Sequence, residues 1–233
     1  MHRQYSGRIH AGSQNEKSFA HGLNFYQLFW IFFIGCFLGV VIETLWCLAT
    51  RHHYESRTGL IYGPFNLVYG FGALFMTLGL NWLSKKRDSW IFLGGVVIGS
   101  IFEYLCSWVQ EVLFGTVSWQ YDNMPFNLNG RINLLYSLFW GLLALVWVKG
   151  IYPLMCRLIS RIPNRVGRPL TWVLLVFMIL NSAISGLAVA RMSARREGKP
   201  ASNVVETFLD NRYPDDRLKK IYPNMVYVQE DGE

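Results

Sequence analysis

The sequence predicts an all-α, polytopic membrane protein with about five transmembrane helices, the first four arranged as a tandem repeat of two-helix units. Three observations lead there. The 233 residues are 52% hydrophobic and 16% aromatic, and the apolar residues gather into runs of about 20, the length that crosses a hydrocarbon core as a helix. No run alternates at period two, as a membrane strand would. One pattern also occurs twice: Gly35, Gly39 and Glu43, four residues apart, precede Pro64-Phe65-Asn66-Leu67, and Gly95, Gly99 and Glu103 precede Pro125-Phe126-Asn127-Leu128. The spacing from glutamate to proline differs by a single residue between the copies.

The chain divides into an N-terminal tail (1–23), a transmembrane domain (24–190) and a soluble or peripheral C-terminal tail (191–233). Repeat one covers 24–84 and repeat two 88–149, followed by an interfacial basic segment, 150–169, and a fifth span, 170–190. The first span runs from Asn24, a plausible N-cap, to Ala49. Gly35, Gly39 and Glu43 drift only about 40° around the helix. They form a seam of small residues that admits a neighbouring helix, with an acid at its end that needs a partner. The following loop carries Arg51, His52, His53, Glu55 and Arg57. Adjacent histidines diverge, so it reads as a solvated loop with no metal centre.

The second span, Pro64 to Leu83, opens on a proline that suits a helix start. Asn66 lies in its first turn, beside unpaired N–H groups, and Tyr69 follows. Lys85, Lys86 and Arg87 make a basic turn. The third span, Ser89 to Phe114, bears a stripe of Gly95, Gly99, Glu103, Ser107 and Gln110. A polar stripe on an apolar helix faces the bundle interior or water; Glu111 lies off it. The loop 115–130 holds Trp119, Tyr121, Asp122 and Asn127 and no Lys or Arg, which fits an interfacial aromatic belt.

The fourth span runs from Arg131 to Val148. In the repeat, Arg131 aligns with Gly70, so its charge belongs to one copy only, as do those of Asp122 and Arg57. That asymmetry fits one site shared by both copies. Ile151 to Ile162 is too short to span and reads as an interfacial helix. In the fifth span Asn181 and Ser185 are poised to hydrogen-bond another helix. In the tail, Asn203 and Glu206 make a capping box ahead of a helix ending near Arg212. With few large apolar residues, the tail packs on headgroups or on the protein's own loops.

The net charge is +7, but the basic residues flank the spans and form no groove-sized patch, so nucleic acid is not expected. Arg3, Arg8, Lys17, Lys85, Lys86, Arg87, Lys149, Arg157, Arg161, Arg165 and Arg168 share one side, which places the N-terminus in the cytoplasm of a cell-membrane protein. Arg191, Arg195, Arg196 and Lys199 argue the other way. Cys36, Cys47, Cys106 and Cys156 read as small buried hydrophobes. No cleavable signal peptide is evident.

Several strings have a family look: Glu43, Arg57-Thr58-Gly59, Tyr62-Gly63-Pro64-Phe65, Tyr69-Gly70-Phe71-Gly72, Trp119-Gln120-Tyr121-Asp122, Pro125 through Arg131, and Ser137-Leu138-Phe139-Trp140-Gly141. The sequence resembles, over roughly 24–165, the bacterial integral membrane family described as "Putative ABC-transporter type IV" (CmpB-like). The resemblance implies a permease-like role without naming a substrate. No G-x-x-x-x-G-K-[ST] loop occurs, so ATP coupling would need a separate ATPase or other membrane subunit. No G-x-S-x-G, H-E-x-x-H or C-x-x-C occurs either, and no cofactor is expected.

Three functions compete. The first is a permease-like transport protein with a polar, charge-paired site between duplicated hairpins. Its pathway would be lined by Glu43, Glu103, Arg57, Asn66, Tyr69, Asp122, Asn127 and Arg131, with Gly35, Gly39, Gly95 and Gly99 as packing seam. Such paired charges suit a zwitterionic or anionic headgroup-like ligand. The second is a membrane enzyme acting on a lipid-linked substrate through its carboxylates. The third is a structural or accessory subunit among membrane lipids, whose seams only hold helices together. The first expects Glu43→Gln and Glu103→Gln to fold but lose activity, with Arg57 and Arg131 as the acids' partners and Glu111→Gln near neutral.

Overall fold

A computed structural model describes residues 18–228. Arg3, Arg8 and Lys17 of the N-terminal tail lie outside the described residues. The chain forms an all-α polytopic membrane protein. Helix α1 (Phe25–Arg51) opens where the Asn24 side chain accepts from the Gln27 N–H at 2.9 Å. Helix α2 (Leu67–Leu80) opens on Asn66, which accepts from the Val68 N–H at 3.0 Å. Both caps satisfy a helix-start donor that has no partner within its own helix. Helix α3 (Asp88–Phe114) follows a short 3₁₀ turn.

The next connection contains β1 (Thr116–Val117) and a hairpin of β2 (Asn127–Leu128) with β3 (Ile132–Asn133). The hairpin turns through Asn129 and Gly130, both at positive φ, where asparagine and glycine are least strained. Helix α4 (Leu134–Val146) therefore starts after the hairpin, capped by Asn133, which accepts from the Leu135 N–H at 2.8 Å. The expected start of the fourth span at Arg131 is corrected: the hairpin runs on to Asn133, and Asn127 lies in β2.

A wide π turn (Trp147–Ile151) joins α4 to α5 (Tyr152–Ser160), giving one apolar helix of 27 residues, Leu134–Ser160. Helix α6 (Asn164–Arg196) begins well before Leu170. The segment 150–169 is thus the end of one long helix and the start of the next, not a helix of its own. Arginine is a good helix former, and the wider turn lets the chain pass Pro153. Among the described residues, four helices are long and apolar enough to cross a membrane; Leu67–Leu83 is apolar but shorter.

The glycine seams decide which helices pair. A Cβ on Gly35 would meet the Ala73 Cβ at 3.0 Å, and one on Gly39 would meet the Tyr69 ring at 2.2 Å. Across α3 and α4, a Cβ on Gly95 would meet the Ala144 Cβ at 2.3 Å, and one on Gly99 the Trp140 ring at 2.3 Å. In return, Gly70 faces Phe32 and Cys36, while Gly141 faces Phe92 and Val96. By these contacts Tyr69, Gly70 and Ala73 answer to Trp140, Gly141 and Ala144. Gly70 therefore corresponds to Gly141 and not to Arg131, because the hairpin lengthens the second connection.

Away from the loops, Trp30 donates to Thr171 at 2.9 Å and Trp147 to Thr77 at 3.1 Å. Each threonine passes its own proton to a carbonyl one turn back, so no polar atom of these pairs is stranded. At the other end, Asn181 and Ser185 of α6 hold a loop instead of a helix. Asn181 accepts from the Tyr62 N–H and donates to its carbonyl, and Ser185 accepts from the Ile61 N–H.

Past α6 come α7 (Val204–Arg212), α8 (Asp215–Ile221) and β4 (Val226–Tyr227), which pairs antiparallel with β1. Asn203 caps α7 through the Glu206 N–H, and Glu206 reaches back to Ser202. Leu209, Tyr213 and Leu218 pack on Ala188 and Met192 of α6. The tail thus completes a small core with the end of α6 where it could not build one alone.

Candidate functional site

Two polar clusters lie at the end of the bundle where the loops after α1 and α3 meet the tail. The first is built by a reversal. His52, at φ 56, turns the chain back so that Glu55 and Arg57 return over the last turns of α1. Arg57 reaches Glu43 at 3.3 Å, Glu55 at 2.8 Å and the Cys47 sulfur at 3.4 Å. Burial alone would lower the Arg57 guanidinium, but the Cys47 hydrogen bond and the Glu43 and Glu55 charges outweigh it, so its pKa is raised. Asn66 caps α2 and also donates to the Arg57 carbonyl at 3.2 Å, tying the loop to the helix start. From the tail, the Asn224 amide lies against Glu55 and Arg57. With its nitrogen toward the carboxylate it donates at 2.5 Å and accepts from Arg57 at 2.7 Å.

Within the same cluster, ligand atoms of Cys47, His53 and Glu55 lie within 4.8 Å of one another. Such a mixed set suits a zinc-like divalent ion by ligand type. The Arg57 guanidinium already rests on the sulfur and the carboxylate, so an ion would enter only with Arg57 drawn aside.

The second cluster surrounds Glu103, which is only 8% exposed. One carboxylate oxygen accepts from the Tyr121 hydroxyl and the other from the Trp140 indole N–H, each at 2.8 Å. Among the described residues no cation lies within ion-pair distance of it. Trp140 reaches Glu103 because Gly99 leaves room for the indole ring. Tyr121 stacks on Tyr136 with ring centroids 4.9 Å apart. Its phenol is pushed up first by burial, then by Glu103, Tyr136 and Glu43, so both glutamates act on this one loop tyrosine.

The expected pairing of Arg131 with Glu103 is corrected. Arg131 lies 2.5 Å from Glu111 and 3.3 Å from the Ser107 hydroxyl, with its guanidinium 5.7 Å from the Tyr104 ring centre. Glu111 is nearer the helix end, where an ion pair loses less hydration; the buried Glu103 is answered by neutral donors, which cost less to bury. Glu111 therefore has a structural partner that its position off the stripe did not suggest.

The remaining expected residues divide. Arg57, Glu43 and Asn66 come together, and Tyr69 packs on Gly39 close by. Asp122 and Asn127 do not join them. Asn127 staples its loop, donating to the Met124 carbonyl at 2.7 Å and accepting from the Gly130 N–H at 3.0 Å. The Asp122 carboxylate lies where a Cβ on Gly130 would go, so it shapes the turn. Sequence reading missed Cys47, Glu55, Tyr121, Trp140 and Asn224 as cluster members. Tyr121 and Trp140 stood out only as members of the strings that carry the family resemblance, with no partner assigned to either.

The family model described as "Putative ABC-transporter type IV" matches residues 30–186, a stretch that holds both glutamates with Arg57 and Arg131. No curated protein matches this chain, and no solved structure does.

Proposed function

This chain belongs to the "Putative ABC-transporter type IV" family, and from that premise we propose that it is a permease-like transport component whose pathway passes the two glutamate clusters. The observation that carries this reading is Glu103. A carboxylate on a transmembrane helix, nearly sealed from water, is costly and usually marks a substrate or ion path. Its hydrogen bonds come from neutral donors, so a cationic group or a proton can take their place without first breaking an ion pair. Glu43 differs, because Arg57 already holds it.

A zwitterionic, headgroup-like ligand fits this division. Its ammonium would take Glu103, and its anionic part would compete for Arg57. The recurring glycine seams support reading the two hairpins as duplicated units framing one site. Energy from ATP would come from a separate subunit, since the sequence has no phosphate-binding loop. The excess of basic residues at the opposite end supports placing that end in the cytoplasm.

Flux in liposomes made with the purified chain, with and without a co-expressed ATPase, tests the reading. Glu43→Gln and Glu103→Gln are expected to reach the membrane folded and to lose flux. Full flux in both variants would leave the seams as packing alone.

A further inference from the structure

The end of the bundle opposite the clusters carries its own signal. There α2 hands over to α3 and α5 to α6. Lys85, Lys86, Arg87, Arg157, Arg161, Arg165 and Arg168 are all exposed there. Among the described residues, the ion pair at this end is Lys149 with Asp88. Among the described residues the seven other cations have no carboxylate partner there; Arg157 donates to the Pro153 carbonyl. At the opposite end Arg57, Arg131, Arg191 and Arg195 each rest on a carboxylate. The cluster end draws the arginines nearest the bundle into the fold, whereas the basic end keeps all but Lys149 facing outward.

We propose that this end is a docking surface for anionic phospholipid headgroups. Depth and interleaving favour that occupant. The helix Leu134–Ser160 has 27 residues, about 40 Å against a hydrocarbon core of about 30 Å, so its last turns emerge at headgroup level. Arg157 and Arg161 sit there. Leu154 and Leu158 beside them are half exposed, Val166 lies between Arg165 and Arg168, and Trp82 and Trp90 flank the Lys85–Arg87 turn with their rings largely exposed. Apolar side chains alternating with long cations belong at the boundary between acyl chains and headgroups. Guanidinium groups match a phosphodiester's oxygens in pairs. An acidic protein would meet the charges but would leave those apolar side chains without a use. The start of α6 adds no competing anion: Pro163 offers no side-chain cap and the first turn has no acid.

The test uses the full chain in detergent, titrated separately with phosphatidylglycerol and phosphatidylcholine, with bound lipid counted by native mass spectrometry. Phosphatidylglycerol is expected to bind in preference, and added salt to erode the preference. Arg157→Gln, Arg161→Gln, Arg165→Gln and Arg168→Gln together are expected to weaken it by about fivefold per charge. Lys219→Gln with Lys220→Gln, at the other end, should change nothing. Equal binding of the two lipids, or undiminished phosphatidylglycerol binding in the fourfold variant, overturns the proposal and leaves the surface to an acidic protein partner. Should the fourfold variant not fold, the wild type decides alone: a preference that salt does not erode overturns it. The readout is binding, so failure of the transport reading does not touch it.

Discussion

The two glycine-seamed helix pairs of this bundle, α1 with α2 and α3 with α4, differ in their chemistry. In each, two glycines four residues apart admit a partner helix, and a glutamate stands one turn further on. In the first half the glutamate meets Arg57 at 3.3 Å; in the second it meets a tyrosine and a tryptophan, both at 2.8 Å. The seam places a carboxylate at the same point of each hairpin, but the connecting loop chooses its partner. The first loop returns across the helix end and brings a cation. The second carries its cation on a hairpin that reaches only as far as Glu111. Two hairpins with the same glycine spacing thus end in one carboxylate held by a cation and one held by neutral donors.

The largest test of this contrast is Arg57→Ala. Removing the cation that Glu43 and Glu55 share strips two carboxylates at once and should destabilise the fold by about 3 kcal/mol, the upper end for hydrogen bonds to charged groups. Thermal unfolding in detergent reads it, and a loss as small as that of a surface pair would erase the distinction between the halves. Next come Gly39→Ala and Gly99→Ala. Each puts a methyl group against an aromatic ring, an overpacking of about 1–3 kcal/mol. The two should cost alike in stability, whereas only Gly99→Ala displaces the indole that binds Glu103. Flux lost in that variant alone would sharpen the comparison; equal loss in both would blunt it.

Smaller is Glu111→Gln. It releases Arg131 from a partly exposed pair and should cost about 0–1 kcal/mol, with the change seen in protease sensitivity of the hairpin at 127–133. The gentlest probe is pH, applied to the tail. Asp210 is held below the ordinary carboxylate range, chiefly by its hydrogen bond from Arg191. Its contribution is therefore present in full above the unfolded carboxylate pKa and is lost as pH falls through the lower, folded one. The tail should resist proteolysis at neutral pH and loosen only in acid, and Asp210→Asn should already be loosened at neutral pH. A tail as protected in that variant as in the wild type would remove the pair from the account.

How much could be read in advance follows from distance along the chain. The cap at Asn24 and the box at Asn203 were legible, because each side chain bonds a backbone only three residues away; Asn66, expected inside a first turn opening at Pro64, instead caps a helix that starts at Leu67. The glycine seams were legible because their period matches a helix face. The start of α4 was placed too early, at Arg131, because Asn129 and Gly130 turn the chain into a hairpin whose second strand runs to Asn133. The partners of Glu103 were not legible. Tyr121 and Trp140 come from different elements, and their meeting depends on the room that Gly99 leaves.

The sequence by itself determined the membrane class, the helical form and which faces carry small residues. Those follow from the length of apolar runs and from the requirement that backbone polar groups be satisfied locally in lipid. Only the tertiary structure decided which charge meets which. A side chain a few ångströms long can pair only with what the packed helices bring within reach. Arg131 thereby serves Glu111, Asn224 arrives from the tail to hold Glu55 and Arg57, and Glu103 is left with two neutral donors. The same packing set the use of the basic residues, since whether an arginine is taken up by the fold or left facing outward depends on where the carboxylates end up.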